Sequence, residues 1–135
     1  MKRVGFFIMV NFFVMALSLT SCKKYTTPNK VKKHIVKDSW SIQSFFLNGS
    51  SITADFNNQA LSFVDGGGVL ASGVTGNVGI WSLGLNKNPA TLYLSNFQNY
   101  PLSELNRDWR VDSCSKKEMK FSNGDNSFVL KKISK

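Results

Sequence analysis

The chain has 135 residues, 42% of them apolar and 19% charged, a composition that fits one folded domain and neither a disordered nor a collagen-like chain. Seventeen Lys and Arg face eight Asp and Glu, so the formal charge is +9. One His and two Cys exclude a disulfide framework and most zinc or His-based chemistry; the expectation is a non-enzyme with no cofactor and no metal.

Met1-Lys2-Arg3 opens the chain, and an uncharged run from Val4 to Ser21 follows. A basic start, an apolar stretch and small residues at its end make a secretory signal. The stretch ends Leu19-Thr20-Ser21-Cys22. This resembles the lipobox of bacterial lipoproteins, which implies acylation of Cys22 and removal of residues 1–21. A retained transmembrane anchor is the competing reading, since the run is about long enough to span. Asn11 within the run and Cys22 at the expected cut favour the lipoprotein.

Residues 22–37 read as the lipidated Cys and a basic tether. Lys23, Lys24, Lys30, Lys32, Lys33 and Lys37 fall here with no acid among them, whereas residues 38–135 hold nine basic and eight acidic residues. The excess charge therefore sits beside the anchor, not on the domain, and no nucleic-acid partner is expected. Two readings of the tether stay open: a stretch lying against anionic headgroups, or a solvated spacer kept unfolded by its charge. In Bacteroidota-type lipoproteins, surface export goes with acidic residues soon after the lipidated Cys. Lys23-Lys24-Tyr25 lacks them, which implies the periplasmic face of the outer membrane, with the cell surface as alternative.

From Asp38 the apolar period is two. Trp40 and Ile42 alternate with polar neighbours, and Phe45 to Leu47 follow up to an Asn48-Gly49 turn signal. One helical turn is expected within Thr53–Gln59. Strands are expected around Leu61 and Phe63, Val69 to Ala71, Ile80 to Leu83, and Leu92 with Leu94, broken by Asp65-Gly66-Gly67-Gly68 and by a turn at Leu85–Pro89. A helical turn at Leu102–Leu105 precedes strands around Trp109 with Val111, Met119 with Phe121, and Phe128 with Leu130; Asn123-Gly124 is the clearest hairpin signal. About eight short strands with turns every ~8–12 residues mean an all-β barrel or sandwich.

The order of these motifs resembles the small lipocalin-like lipoproteins of Bacteroidota. It comprises the lipobox, Ser39-Trp40-Ser41-Ile42, Phe63-Val64-Asp65-Gly66-Gly67, Gly79-Ile80-Trp81, Leu92-Tyr93-Leu94, Trp109-Arg110-Val111 and Phe128-Val129-Leu130-Lys131. The resemblance covers most of residues 38–135. It implies a small antiparallel up-and-down barrel and no particular ligand. A five- or six-stranded sheet curled into an incomplete barrel fits the pattern nearly as well.

Candidate sites are few. Trp40, Trp81 and Trp109 fall on inward phases, and with Phe63 they are the candidate lining of a cavity for a small apolar ligand. The competing reading is a filled core, which a small domain needs. Phe97, Tyr100 and Leu102 form a candidate loop patch for a protein or glycan partner, or else a plug for the barrel end. Cys114 is open to three readings: packing, an interchain disulfide, or reactivity without a basic partner, since His34 lies in the tether. Asp108 and Asp112 share one strand face about 13 Å apart, too far for the ~5–9.5 Å of paired glycosidase carboxylates, so exposed ion pairing with Arg110 is expected. The function expected is a membrane-anchored, non-enzymatic lipoprotein that binds a small apolar ligand, or alternatively a solid interaction module.

Overall fold

Strand residues that alternate apolar and polar put every second side chain on one face, and a sheet with one apolar face must curl or stack to bury it. In the computed structural model, which describes residues 26–57, 59–85 and 89–134, the sheet curls until it meets itself. The strands are β1 (Ser39–Leu47), β2 (Ser50–Ser51), β3 (Ala60–Phe63), β4 (Gly68–Ala71), β5 (Gly79–Leu83), β6 (Thr91–Ser95), β7 (Asp108–Cys114), β8 (Glu118–Asn123) and β9 (Asn126–Lys132). All neighbours are antiparallel, and β1 pairs with β9 to close an eight-stranded up-and-down barrel, with β2 a two-residue addition folded back on β1. The lipocalin-like barrel is therefore the fold, and the incomplete curled sheet is not.

Closure runs through six β1–β9 residue pairs, from Trp40 opposite Lys132 to Phe46 opposite Ser127. The register shifts between Ile42 and Ser44. One extra residue at Gln43 changes the inward phase, so Trp40 and Ile42 point in before it and Phe45 after it. This accounts for the broken alternation at Phe45-Phe46-Leu47.

The turns obey their chemistry. Asn48 and Gly49 both take positive φ (51° and 81°) between Leu47 and its partner Ser50, as a two-residue primed turn requires. At the β8–β9 hairpin the pairing of Asn123 with Asn126 makes Gly124-Asp125 the two central residues. The glycine, at φ 58°, takes the first of them, one position earlier than an Asn-Gly turn would have it. Short 3-10 turns form at Thr53–Phe56 and Leu102–Leu105, where single helical turns were expected. The expected turn at Leu85–Pro89 falls largely on residues 86–88, outside the described residues, as do the signal run, the lipobox and Cys22.

One expectation needs correction. The stretch read as tether to Lys37 is folded from Thr26 onward: Pro28–Ile35 is a helix, α1. Thr27 caps it, its hydroxyl accepting from the Lys30 amide, and Pro28 occupies the first turn, where a missing N–H does no harm. Val31 and Ile35, four residues apart, share one face and are fully buried in the barrel core. Charge density suggested either a solvated spacer or a tether lying on headgroups; two aliphatic residues at helical spacing were enough to dock Pro28–Ile35.

The helix lies across one end of the barrel. That end holds the start of β1, the end of β3, the β3–β4 turn, the end of β7 and the start of β8. The Ile35 carbonyl accepts the Trp40 indole N–H at 3.0 Å, and Lys32 reaches Asp65 in the β3–β4 turn at 3.5 Å. Before the helix, the buried Thr26 is stitched in twice: its hydroxyl donates to the Val111 carbonyl and its own carbonyl accepts from the Ala90 amide, both at 2.8 Å. The opposite end is plugged by the two 3-10 turns, which bury Phe56, Leu102 and Leu105.

Candidate functional site

The four residues proposed to line a cavity do face the barrel interior. Trp40 and Trp109 are fully buried, Phe63 is 3% exposed and Trp81 6%. What surrounds them is other side chains. Trp109 stands edge-on to Phe128, with ring centroids 4.7 Å apart, and to Phe45 at 5.8 Å. Phe128 stacks on Phe121 at 4.5 Å and on Phe45 at 5.7 Å, and Phe45 stacks on Phe56 at 5.0 Å. Trp81 meets Phe63 edge-on at 6.1 Å. These are the offset and T-shaped arrangements that aromatic quadrupoles favour.

The polar tips of the indoles are also engaged. Trp40, Trp81 and Trp109 each donate Nε1–H to a backbone carbonyl: that of Ile35 at 3.0 Å, Val64 at 2.9 Å and Leu105 at 2.9 Å. Each acceptor lies in an end segment of the barrel: α1, the β3–β4 turn, or the 3-10 turn before β7. Each tryptophan thus ties a strand to the piece of chain that shuts its end. No indole N–H is left facing inward for a ligand.

Gly79 explains the Gly-x-Trp pattern physically. Its φ is ordinary, but a Cβ at this position would lie 2.4 Å from Cζ of Phe97. The absent side chain lets the Phe97 ring pack on the strand backbone, one turn of the pleat from Trp81.

The loop patch is corrected accordingly. Phe97 is 3% exposed and Leu102 8%, both part of the core, and only Tyr100 stands out, at 56%. Asn106 holds the loop closed, its side chain accepting from the Phe97 amide at 3.0 Å and donating to the Phe97 carbonyl at 2.8 Å. Tyr100 donates its hydroxyl to the Asp55 carboxylate, and that bond, with the nearby negative charge, raises the phenol above its ordinary pKa. The loop is a plug carrying one exposed tyrosine, not an aromatic patch.

Cys114 is 7% exposed and packs beneath α1, its sulfur 4.0 Å from the Lys30 carbonyl. Burial raises the thiol pKa, outweighing the pull of Lys30. A thiol held protonated and covered is a packing residue. Arg110 pairs with Asp112 on the outer face of β7 at 2.7 Å, as expected of exposed charges, and Arg107 pairs with Glu104 at 3.0 Å. Among the described residues no group of three or more His, Cys, Asp or Glu is gathered closely enough to hold a metal ion.

Open clefts occur on the outside. One, about 490 Å³, is lined by Asp38, Lys117, Lys131, Lys132, Ile133 and Ser134, at the α1 end. Another, about 440 Å³, lies at the opposite end beside Gln59, Asn77, Asn96, Gln98 and Tyr100. Neither is lined by Trp40, Phe63, Trp81 or Trp109.

Sequence reasoning missed the contribution of α1. The signal was present in Thr27-Pro28 followed by Val31 and Ile35, a cap, a first-turn proline and an i,i+4 apolar pair. Comparison with protein-family models, with curated proteins and with solved structures finds no match, so the functional reading rests on the fold and the residues described above.

Proposed function

We propose that this chain is a non-enzymatic lipoprotein, held to the membrane by acyl chains on Cys22, whose lipocalin-like barrel is solid. In this reading the barrel is a rigid module that meets its partner through its outer surface and end loops. The periplasmic face of the outer membrane is its proposed site. The observation that carries the reading is the interior itself: all three tryptophans are packed against neighbouring side chains or end segments and their indole N–H groups are spent on backbone carbonyls. An eight-stranded barrel is just wide enough either to be filled or to hold one small ligand, and here side chains occupy the centre.

Two measurements test the two halves. For the anchor, radiolabelled palmitate is incorporated by the natural chain and not by Cys22→Ala, which also keeps residues 1–21 uncleaved; an unlabelled natural chain sinks this half. For the solid barrel, a fluorescent fatty acid is titrated into the chain expressed without residues 1–22. No saturable binding is expected, and one-to-one saturation restores the apolar-ligand reading.

A further inference from the structure

The barrel carries its charge at its ends, and unequally. The α1 end holds Lys30 and Lys33 on the helix, Lys37 just past its end, Lys116 and Lys117 in the β7–β8 turn, and Lys131 near the end of β9. Lys32 and Lys132 lie there too, paired with Asp65 at 3.5 Å and Asp38 at 3.7 Å. With Glu118, that makes eight lysines against three carboxylates among the described residues at this end. Among the described residues the opposite end holds Asp55, Glu104, Asp108 and Asp125 with Arg107 as the one basic residue. The near-neutral domain charge conceals a molecule that is positive at one end and negative at the other.

The helix is oriented to present that charge outward. At 100° per residue, Lys30 and Lys33 fall away from the face made by Val31 and Ile35, which is sealed into the core, and Lys37 follows in the turn after the helix. All three are exposed. Lys116 joins them from across the barrel mouth: His34 is held below its ordinary pKa first by desolvation and then by Lys33, Lys30, Lys116 and Lys37 together. The 490 Å³ cleft lined by Lys117, Lys131 and Lys132 opens at this same end, with the half-exposed Ile133 at its edge.

The chain's own length decides what lies opposite. Thr26 is buried between β6 and β7, and Cys22 precedes it by four residues. Even fully extended, four residues reach only about 14 Å. A lipid on Cys22 therefore holds the α1 end within that distance of the bilayer surface, close to the ~8–10 Å over which charges act at ordinary salt.

We propose that the α1 end is a membrane-docking face that sits on anionic phospholipid headgroups, standing the barrel upright with its acidic end, Tyr100 and the Asn-Gly turn of β1–β2 directed away from the bilayer. This rests on the reading of Cys22 as acylated and goes beyond it, because it assigns an orientation and a lipid charge preference to the folded barrel. Each lysine at such a surface changes partitioning about fivefold.

The test uses the acylated product beginning at Cys22, in vesicles of phosphatidylcholine with and without phosphatidylglycerol. A fluorophore is placed either at Asn29→Cys, exposed on the outward side of α1, or at Ser50→Cys, exposed in β2 at the far end, and is quenched by nitroxide-labelled lipid. The expected result is several-fold stronger quenching at position 29 than at position 50 in phosphatidylglycerol vesicles, reduced by 1 M salt and by the triple variant Lys33→Glu, Lys116→Glu, Lys131→Glu. These three side chains are exposed, and unchanged tryptophan emission verifies that the variant is folded. Equal quenching at both positions, or indifference to lipid charge, overturns the docking face while the protein still floats with the vesicles. A protein that fails to float with either vesicle overturns the acylated anchor instead. A face that ignores anionic vesicles yet retains an oligonucleotide is a polyanion site of another kind and also overturns the proposal.

Discussion

Replacing Trp109 with Ala removes the centre of the barrel. The side chain is fully buried, stands edge-on to Phe128 and Phe45, and supplies the N–H that the Leu105 carbonyl accepts. Truncating a buried tryptophan costs about 3–5 kcal/mol through lost transfer energy and the remaining void. Two lost aromatic pairs add ~0.5–1.5 kcal/mol each, and an unpaired carbonyl adds about 1 kcal/mol. These terms overlap, so the expected loss is about 5 kcal/mol, a large part of the ~5–15 kcal/mol that stabilises an ordinary domain. With a urea slope of ~1–3 kcal/mol per molar, the unfolding midpoint falls by about 2–5 M. Equilibrium unfolding of the chain expressed without residues 1–22, followed by circular dichroism, reads this directly. Trp109→Phe keeps the ring contacts and loses the N–H, so it falls by less than half as much. The variant also acquires a dry void on the order of 150 Å³, the size that admits benzene, so indole or benzene raises the midpoint of Trp109→Ala and leaves the natural chain unmoved. A loss under about 1 kcal/mol, or equal stabilisation of both chains by indole, refutes the reasoning, because it means the interior already contains the space.

Other perturbations probe separate parts of the structure. Ile35→Ala in α1 is expected to cost about 2–4 kcal/mol in the same unfolding assay, whereas Lys33→Ala, on the opposite helix face, changes stability by less than about 0.5 kcal/mol; equal effects contradict the docked helix. Gly79→Ala drives a methyl into the Phe97 ring and is expected to lower stability by about 1–3 kcal/mol, with recovery in the double variant Gly79→Ala, Phe97→Leu. His34 titrates below its ordinary value of 6.5 in the folded chain. The unfolded chain therefore takes up the proton first, so the stability linked to His34 is complete above pH 6.5, declines as the pH falls, and levels off below the folded pKa. A proton NMR titration of the single imidazole reads the value, and Lys116→Gln moves it upward; a folded pKa at or above 6.5 contradicts the shared basic face.

Much of the barrel was legible because its information is local. Period-two alternation from Trp40 to Leu130 marks the inward faces, and Asn48-Gly49 forms its turn through backbone preferences that depend on two residues. The single helical turns at Thr53–Phe56 and Leu102–Leu105 were legible in the same way. Closure was not local: it depends on β1 meeting β9 across nearly the whole chain, and on the bulge at Gln43 that re-aims Phe45 toward Phe128. Whether the interior is empty or full was also beyond sequence pattern. An inward tryptophan reads the same in both cases, and only the packing of Phe45, Phe121 and Phe128 around Trp109 separates them. The helix was missed for a different reason. The positive charge of residues 22–37 dominates their composition, yet the two side chains that decide the conformation, Val31 and Ile35, carry none of it. The same composition hid the polar asymmetry of the barrel, since net charge sums over two ends that the fold holds apart.

The central claim is that this barrel is solid. Native mass spectrometry of the chain expressed without residues 1–22, incubated with an extract of cell lipids and small metabolites, tests it most directly. A filled interior predicts the bare mass of the protein with nothing retained. An apolar molecule held at unit stoichiometry, and extractable into organic solvent, contradicts the account and returns Trp40, Phe63, Trp81 and Trp109 to the role of a ligand-binding wall.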